Sequence, residues 1–103
     1  TLYADDVVSI EPVAMPGMAA RTEGLAAVKK KSTDWEAMNE VHNARVDGPF
    51  VGDGQFAVRF WIDATNKPRG QRMQREEMAL YAVRDGKIAQ EEFYYNMGGG
   101  PES

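Results

Sequence analysis

Glu91, Phe93 and Tyr95 stand at alternate positions in the β-prone run near the end of this chain. In an extended strand that spacing puts all three side chains on one face. An acid set between aromatic rings is unlike an inert core, because a buried Glu is costly without partners. It suits a wall that holds a ligand and handles protons. Upstream, Glu77, Ala79 and Tyr81 alternate in the same way, and Arg84-Asp85-Gly86-Lys87 joins the two runs in a tight turn. If Arg84-Asp85 forms a type I turn with Gly86 as its bulge, Val83 pairs with Lys87. Ala79 then faces Glu91, Glu77 faces Phe93, and Tyr81 shares their face. A two-residue turn instead pairs Val83 with Ile88 and brings Met78 and Leu80 to the face of Glu91. Both registers stay open. So does a structural role for Glu91 in a salt bridge with Arg72 or Arg75.

His42, the sole histidine, lies early on a strand. Paired with Glu11 or Glu91 it would make an acid/base couple; alone it would be a structural or surface residue. Trp35, at the end of a helical stretch, either lines a pocket or packs a core. One histidine and scattered carboxylates lack metal-ligand spacing, so no metal and no cofactor is expected. The basic runs Lys29-Lys30-Lys31 and Lys67-Pro68-Arg69-Gly70-Gln71-Arg72 read as solvated helix and hairpin surface.

These side chains need a scaffold, and the chain has room for one. With 103 residues it can build a single core with little margin. Hydrophobic content of 43% and charged content of 27% are those of an ordered globular domain. A net charge of −4 disfavours nucleic acid and anionic membrane as partners. There is no cysteine, which excludes disulfides and thiolate metal sites. No apolar run approaches the roughly 20 residues that span a bilayer, and a cytoplasmic location is expected.

Punctuation by Gly and Pro predicts the elements. Asp5-Asp6 ends a helical fragment, and Val7 to Ile10 is a short strand stopped by Pro12. Residues from Pro12 to Gly24 read as a loop. Leu25 to Met38 reads as a helix, with Leu25, Val28 and Trp35 near one side. Strands follow at Val41 to Val46, Phe56 to Thr65, Arg72 to Val83 and Ile88 to Met97. Asp47-Gly48-Pro49 and Gly52-Asp53-Gly54 mark turns or a bulged connection, and Gly98 to Pro101 reads as a flexible tail. Helix before long hairpin-joined strands implies an α+β fold with a strongly bent antiparallel sheet.

Two segments carry a family resemblance. Tyr3-Ala4-Asp5-Asp6-Val7-Val8-Ser9-Ile10-Glu11-Pro12 resembles the helix end, short strand and acid-Pro corner of the nuclear transport factor 2-like superfamily. Asp85-Gly86-Lys87-Ile88-Ala89-Gln90-Glu91-Glu92-Phe93-Tyr94-Tyr95 resembles its last hairpin. That superfamily holds ketosteroid isomerases, SnoaL-like polyketide cyclases and limonene epoxide hydrolases. The resemblance implies a cystatin-like cone roofed by N-terminal helices, with an apolar pocket at its mouth. It also implies a long helix upstream. Thr1-Leu2-Tyr3 reads as the last turn of that helix, so residues 1–103 are expected to be one domain lacking its first helix.

By the same resemblance, Glu11 occupies the position of the isomerases' general base, and a desolvated carboxylate suits proton transfer at carbon. Their acidic hydrogen-bond donor falls on Ala79 or, shifted by one, Met78, neither of which can donate. The final acid of the epoxide hydrolases falls on Phe93, and their Arg and first Asp find no match near Phe56 to Arg59. Neither activity is therefore expected in its full form. The expectation is a small-molecule-binding protein of the isomerase or cyclase kind. Glu11 and His42 are its catalytic candidates, and Trp35, Glu77, Tyr81, Glu91, Phe93 and Tyr95 are its ligand-binding ones. The ligand would be a small apolar or aromatic organic molecule. A non-catalytic ligand-binding or dimerisation module is the alternative. In relatives the convex face often pairs with a second copy, so a homodimer through Arg59, Trp61 and Tyr94 is expected.

Overall fold

The computed structural model describes residues 2–13 and 19–95. Its elements are β1 (Tyr3–Ile10), β2 (Arg21–Glu23), α1 (Leu25–Met38), β3 (Asn39–Gly52), β4 (Gln55–Asn66), β5 (Gln71–Arg84) and β6 (Lys87–Tyr94). The strands form one curled sheet in the order β2-β1-β6-β5-β4-β3. Neighbours are antiparallel except β1 and β6, which run parallel. The α+β architecture expected from the sequence is therefore present, with α1 packed on β1.

The β5–β6 turn decides which side chains meet. Asp85 and Gly86 both have positive φ, 53° and 77°, as a two-residue primed hairpin turn requires. Arg84 pairs with Lys87 and Val83 with Ile88. The register then shifts between Val83 and Ala82, leaving Ala89 as an extra residue in β6. Beyond that bulge Tyr81 pairs with Glu91 and Ala79 with Phe93. The turn alone would have brought Met78 and Leu80 to the face of Glu91. One inserted residue reverses that parity, so Tyr81 and Ala79 share the face of Glu91 and Phe93.

Three local expectations are corrected. Tyr3 to Asp6 is strand rather than a helix end, because β1 begins at Tyr3, whose pairing partner is Ile88. Arg21–Glu23, read as loop, adds a short strand antiparallel to β1, braced by Gly24 N–H donating to the Val7 carbonyl at 2.8 Å. The strand expected to end at Val46 does not: β3 runs on to Gly52, and of the two readings of Asp47-Gly48-Pro49, a turn or a bulged connection, the bulge is present as a register shift between Asp47 and Phe50. As an edge strand, β3 tolerates a proline that cannot donate to a ladder. The last strand stops at Tyr94, and the expected continuation to Met97 and the glycine tail lie outside the described residues.

Little of the concave face is filled by bulky apolar groups. Among the described residues the buried apolar side chains are Ala4, Val7, Val28, Val58, Ala64 and Ala79, all small. Ser9, Glu11, Asn39, Asp63 and Glu91 are buried beside them. A sheet that curls around small and polar side chains leaves space, and here it leaves a cup. Among the described residues, no helix is long and apolar enough to cross a membrane.

Candidate functional site

The cup encloses about 2030 Å³ and is open to solvent. Val7, Ser9 and Glu11 are successive alternate positions at the end of β1, and all are buried, as one covered face of a strand demands. Above them, Leu25, Val28, Lys31 and Trp35 follow a helical stripe on α1. Lys31 takes a place in that stripe where an apolar residue would be usual, and it points a cation at the strand.

Both Glu11 oxygens are engaged at 2.6 Å. Tyr95 donates its hydroxyl to Oε1 and Lys31 donates Nζ to Oε2. Lys31 also donates to Ser9 Oγ at 2.6 Å, and Ser9 donates to Glu91 Oε2 at 2.8 Å. Tyr3 completes the row by donating to Glu91 Oε1 at 2.8 Å. Two carboxylates are thus joined through one ammonium and one hydroxyl. Each bond is polarised by a charge at one end, which strengthens such a chain where water is scarce. Lys31 further lies 5.3 Å from the centre of the Phe93 ring. The Arg75 guanidinium sits 4.4 Å from the Tyr95 ring and donates to Glu77 at 2.6 Å.

The phenols respond to this setting. Burial first, then the hydrogen bond to Glu11 and that carboxylate's charge, raise the pKa of Tyr95 well above its ordinary value; Arg75 offsets part of the rise. Tyr3 is raised in the same way by burial and by Glu91. Tyr81 is pushed up to about 12 by burial, then by the charges of Glu91 and Glu77. All three remain protonated donors across the physiological range.

Glu11, Trp35, Glu77, Tyr81, Glu91, Phe93 and Tyr95 all line this one cup. His42 does not. It is exposed on β3, with Nε2 2.7 Å from Thr65 Oγ1, so the acid/base couple with Glu11 or Glu91 does not form. Glu91 makes no bridge to Arg72 or Arg75, because Arg72 pairs with Asp63 and Arg75 with Glu77. The Lys29-Lys30-Lys31 run is not all solvated surface: Lys30 pairs in the open with Asp34, whereas Lys31 turns inward. The sequence reading missed Lys31, Ser9 and Tyr3. The helical stripe signalled the first, and alternation with Glu11 signalled the second. Among the described residues, no group of three or more His, Cys, Asp or Glu side chains could hold a metal ion.

The model of the SnoaL-like domain matches residues 1–95. A protein from Mesorhizobium loti, assigned as a SnoaL-like polyketide cyclase and also labelled a carbohydrate phosphatase, is 45% identical. The match covers 90% of this chain and 78% of that one, with a TM-score of 0.83. A protein from Bacillus subtilis assigned as an isomerase is 21% identical, with 92% and 70% of the two chains covered and a TM-score of 0.77. A protein with a ketosteroid isomerase-like fold from Catenulispora acidiphila, solved with trimethylamine, has a TM-score of 0.77 at 16% identity, over 93% and 71% of the chains. No curated protein matches. The chain belongs to the SnoaL-like domain family, on the nuclear transport factor 2-like fold.

Proposed function

We propose that this chain binds a small, largely apolar or aromatic carbonyl compound in the cup and moves a proton at the carbon beside the carbonyl. The observation that carries the reading is the buried Glu11 carboxylate, gripped by Lys31 and Tyr95 at the wall of an open cavity. Glu11 takes the proton from carbon, and the C–H electron pair moves through the new C–C double bond onto the carbonyl oxygen. A neutral Glu11 attracts its two donors less, so Tyr95 and Lys31 are free to turn to the oxyanion. They stand in for the donor that Ala79 and Met78 cannot supply. Returning the proton to a different carbon completes an isomerisation. Attack of the carbanionic carbon on a second carbonyl of the same molecule forms a C–C bond as that carbonyl's π pair moves onto its oxygen, which takes the proton back from Glu11 and completes a cyclisation. Only a proton and electron pairs within the substrate move, so no cofactor takes part. The isomerase and cyclase assignments of the relatives support this class of chemistry.

The proposal extends to setting: a cytoplasmic homodimer joined through the convex sheet face, with neither nucleic acid nor membrane as partner. A second reading, a binding module without catalysis, draws on the apolar Ala79 at the donor position. The two are separated by following hydrogen–deuterium exchange beside the carbonyl of β-tetralone by NMR. Wild-type protein should accelerate exchange above buffer, and Glu11→Gln should lose roughly 10²-fold or more of that acceleration. Equal rates in the two proteins would remove Glu11 as the base.

A further inference from the structure

Three tyrosines line the cup, and two have their hydroxyls committed to carboxylates: Tyr3 to Glu91 and Tyr95 to Glu11. The third does not. Among the described residues the Tyr81 hydroxyl has no hydrogen-bond partner, although its ring is firmly placed. That ring stacks on its cross-strand neighbour Phe56, with centroids 4.8 Å apart and planes inclined by 18°. Stacking of this kind holds the side chain in one orientation before any ligand arrives.

We infer that the Tyr81 hydroxyl is the anchoring donor for an uncharged oxygen of the ligand, a second polar station beside the Glu91 end of the cup. The inference rests on the reading of the cup as a carbonyl-compound site and narrows its substrate class. The charges around Tyr81 exclude an anionic group there. Glu91 is its cross-strand partner, and Glu77 lies on the same strand; both act on Tyr81 electrostatically. Lys31 is engaged by Glu11 and Ser9, and Arg75 is paired through Nη2 with Glu77, with its buried Nε left unpartnered among the described residues. A ligand carboxylate placed at Tyr81 would meet two like charges, and the cations it could turn to are already paired with carboxylates. A ketone or hydroxyl oxygen would meet a donor that keeps its proton.

Three hydrogen bonds run from Glu91, the cross-strand partner of Tyr81, through Ser9 and Lys31 to Glu11 and tie together the walls that carry the two stations. A substrate bearing one neutral oxygen for Tyr81 and, apart from it, an acidic C–H beside a carbonyl for Glu11 would engage both. The class is a neutral ketone with a second uncharged oxygen.

Binding, not turnover, tests the anchor. Isothermal titration calorimetry compares 6-hydroxy-β-tetralone, β-tetralone and β-tetralone-6-carboxylate on wild type and on Tyr81→Phe, which retains the ring that stacks on Phe56. Wild type should bind the hydroxyketone about tenfold more tightly than β-tetralone and reject the carboxylate, as one neutral hydrogen bond allows. Tyr81→Phe, folded by circular dichroism, should bind hydroxyketone and β-tetralone alike. The proposal is overturned if wild type binds the hydroxyketone no more tightly than β-tetralone, including not at all, or if the hydroxyketone's advantage survives in Tyr81→Phe. It is equally overturned if wild type prefers the carboxylate. The base is judged separately. Loss of the hydroxyl preference in Tyr81→Phe, with exchange indifferent to Glu11→Gln, upholds the anchor and removes only the proton-transfer reading. The opposite pattern removes only the anchor.

Discussion

Lys31 and Glu11, twenty positions apart, close an ion pair of 2.6 Å in which both side chains are largely shielded, at 15% and 7% exposure. It fastens α1 to the end of β1 and holds the proposed base in place. Charges taken out of water in this way are costly singly and tolerable together. Lys31→Met should leave Glu11 buried without its cation and destabilise the fold by about 3–5 kcal/mol. Adding Glu11→Leu should restore much of that loss, since the pair is then replaced by apolar volume. Urea unfolding of the single and double variants checks both signs. A single variant as stable as wild type would show that the pair contributes nothing.

Alkaline pH should unfold this protein sooner than its size suggests. The phenols Tyr3, Tyr81 and Tyr95 are raised chiefly by burial, with neighbouring carboxylates adding to the effect. The native state therefore keeps protons that the unfolded chain releases above about pH 10. Stability is intact below that value and falls as pH climbs from there towards the native pKa values. The urea midpoint should be flat up to about pH 9 and drop steeply beyond about pH 10. Phenolate absorbance from these three should appear together with unfolding. Free ionisation of all three near pH 10 in the folded state would contradict the burial.

The main outlines of the site were legible, and the exceptions have definite causes. Alternation was enough to put Glu91 and Phe93 on one face, because strand periodicity does not depend on register. The face of Tyr81 was not legible. It hangs on the sum of a two-residue turn and the bulge at Ala89, and neither leaves a composition signal strong enough to fix parity. Lys31 was hidden by its neighbours, since three consecutive lysines look solvated unless the helical stripe is followed through them. Tyr3 was hidden by Asp5-Asp6, an acidic pair that reads as a helix end but sits exposed on a strand.

The convex face carries the prediction about assembly. Arg59 and Trp61 alternate with the cup-lining Phe60 and Ile62, and Met78 is the cross-strand partner of both Arg59 and Tyr94. Met78 and Tyr94 are 40% and 48% exposed, large apolar surfaces for a sheet to leave in water. A symmetric dimer would cover them. Light scattering at tens of micromolar should give a dimer mass, and Met78→Glu with Tyr94→Glu should return a monomer. A wild-type monomer at that concentration would defeat the assembly.

Tyr95 provides the sharpest test of the proposed chemistry, because structure and catalysis make different demands on its hydroxyl. As a structural group it satisfies Glu11 Oε1 and nothing else, and its ring is held independently by Arg75. Tyr95→Phe keeps that ring contact and removes one charge-assisted hydrogen bond, a loss of about 1.5–3 kcal/mol in stability. If the hydroxyl only held Glu11, the rate of β-tetralone exchange would change little once the protein is folded. If it turns to the oxyanion as Glu11 takes the proton, kcat should fall by roughly 10²–10³ with KM nearly unchanged. The signature lies in that split, since a lost transition-state donor lowers kcat where a misplaced wall would raise KM. A Tyr95→Phe enzyme with wild-type kcat would leave Lys31 as the oxyanion's sole donor.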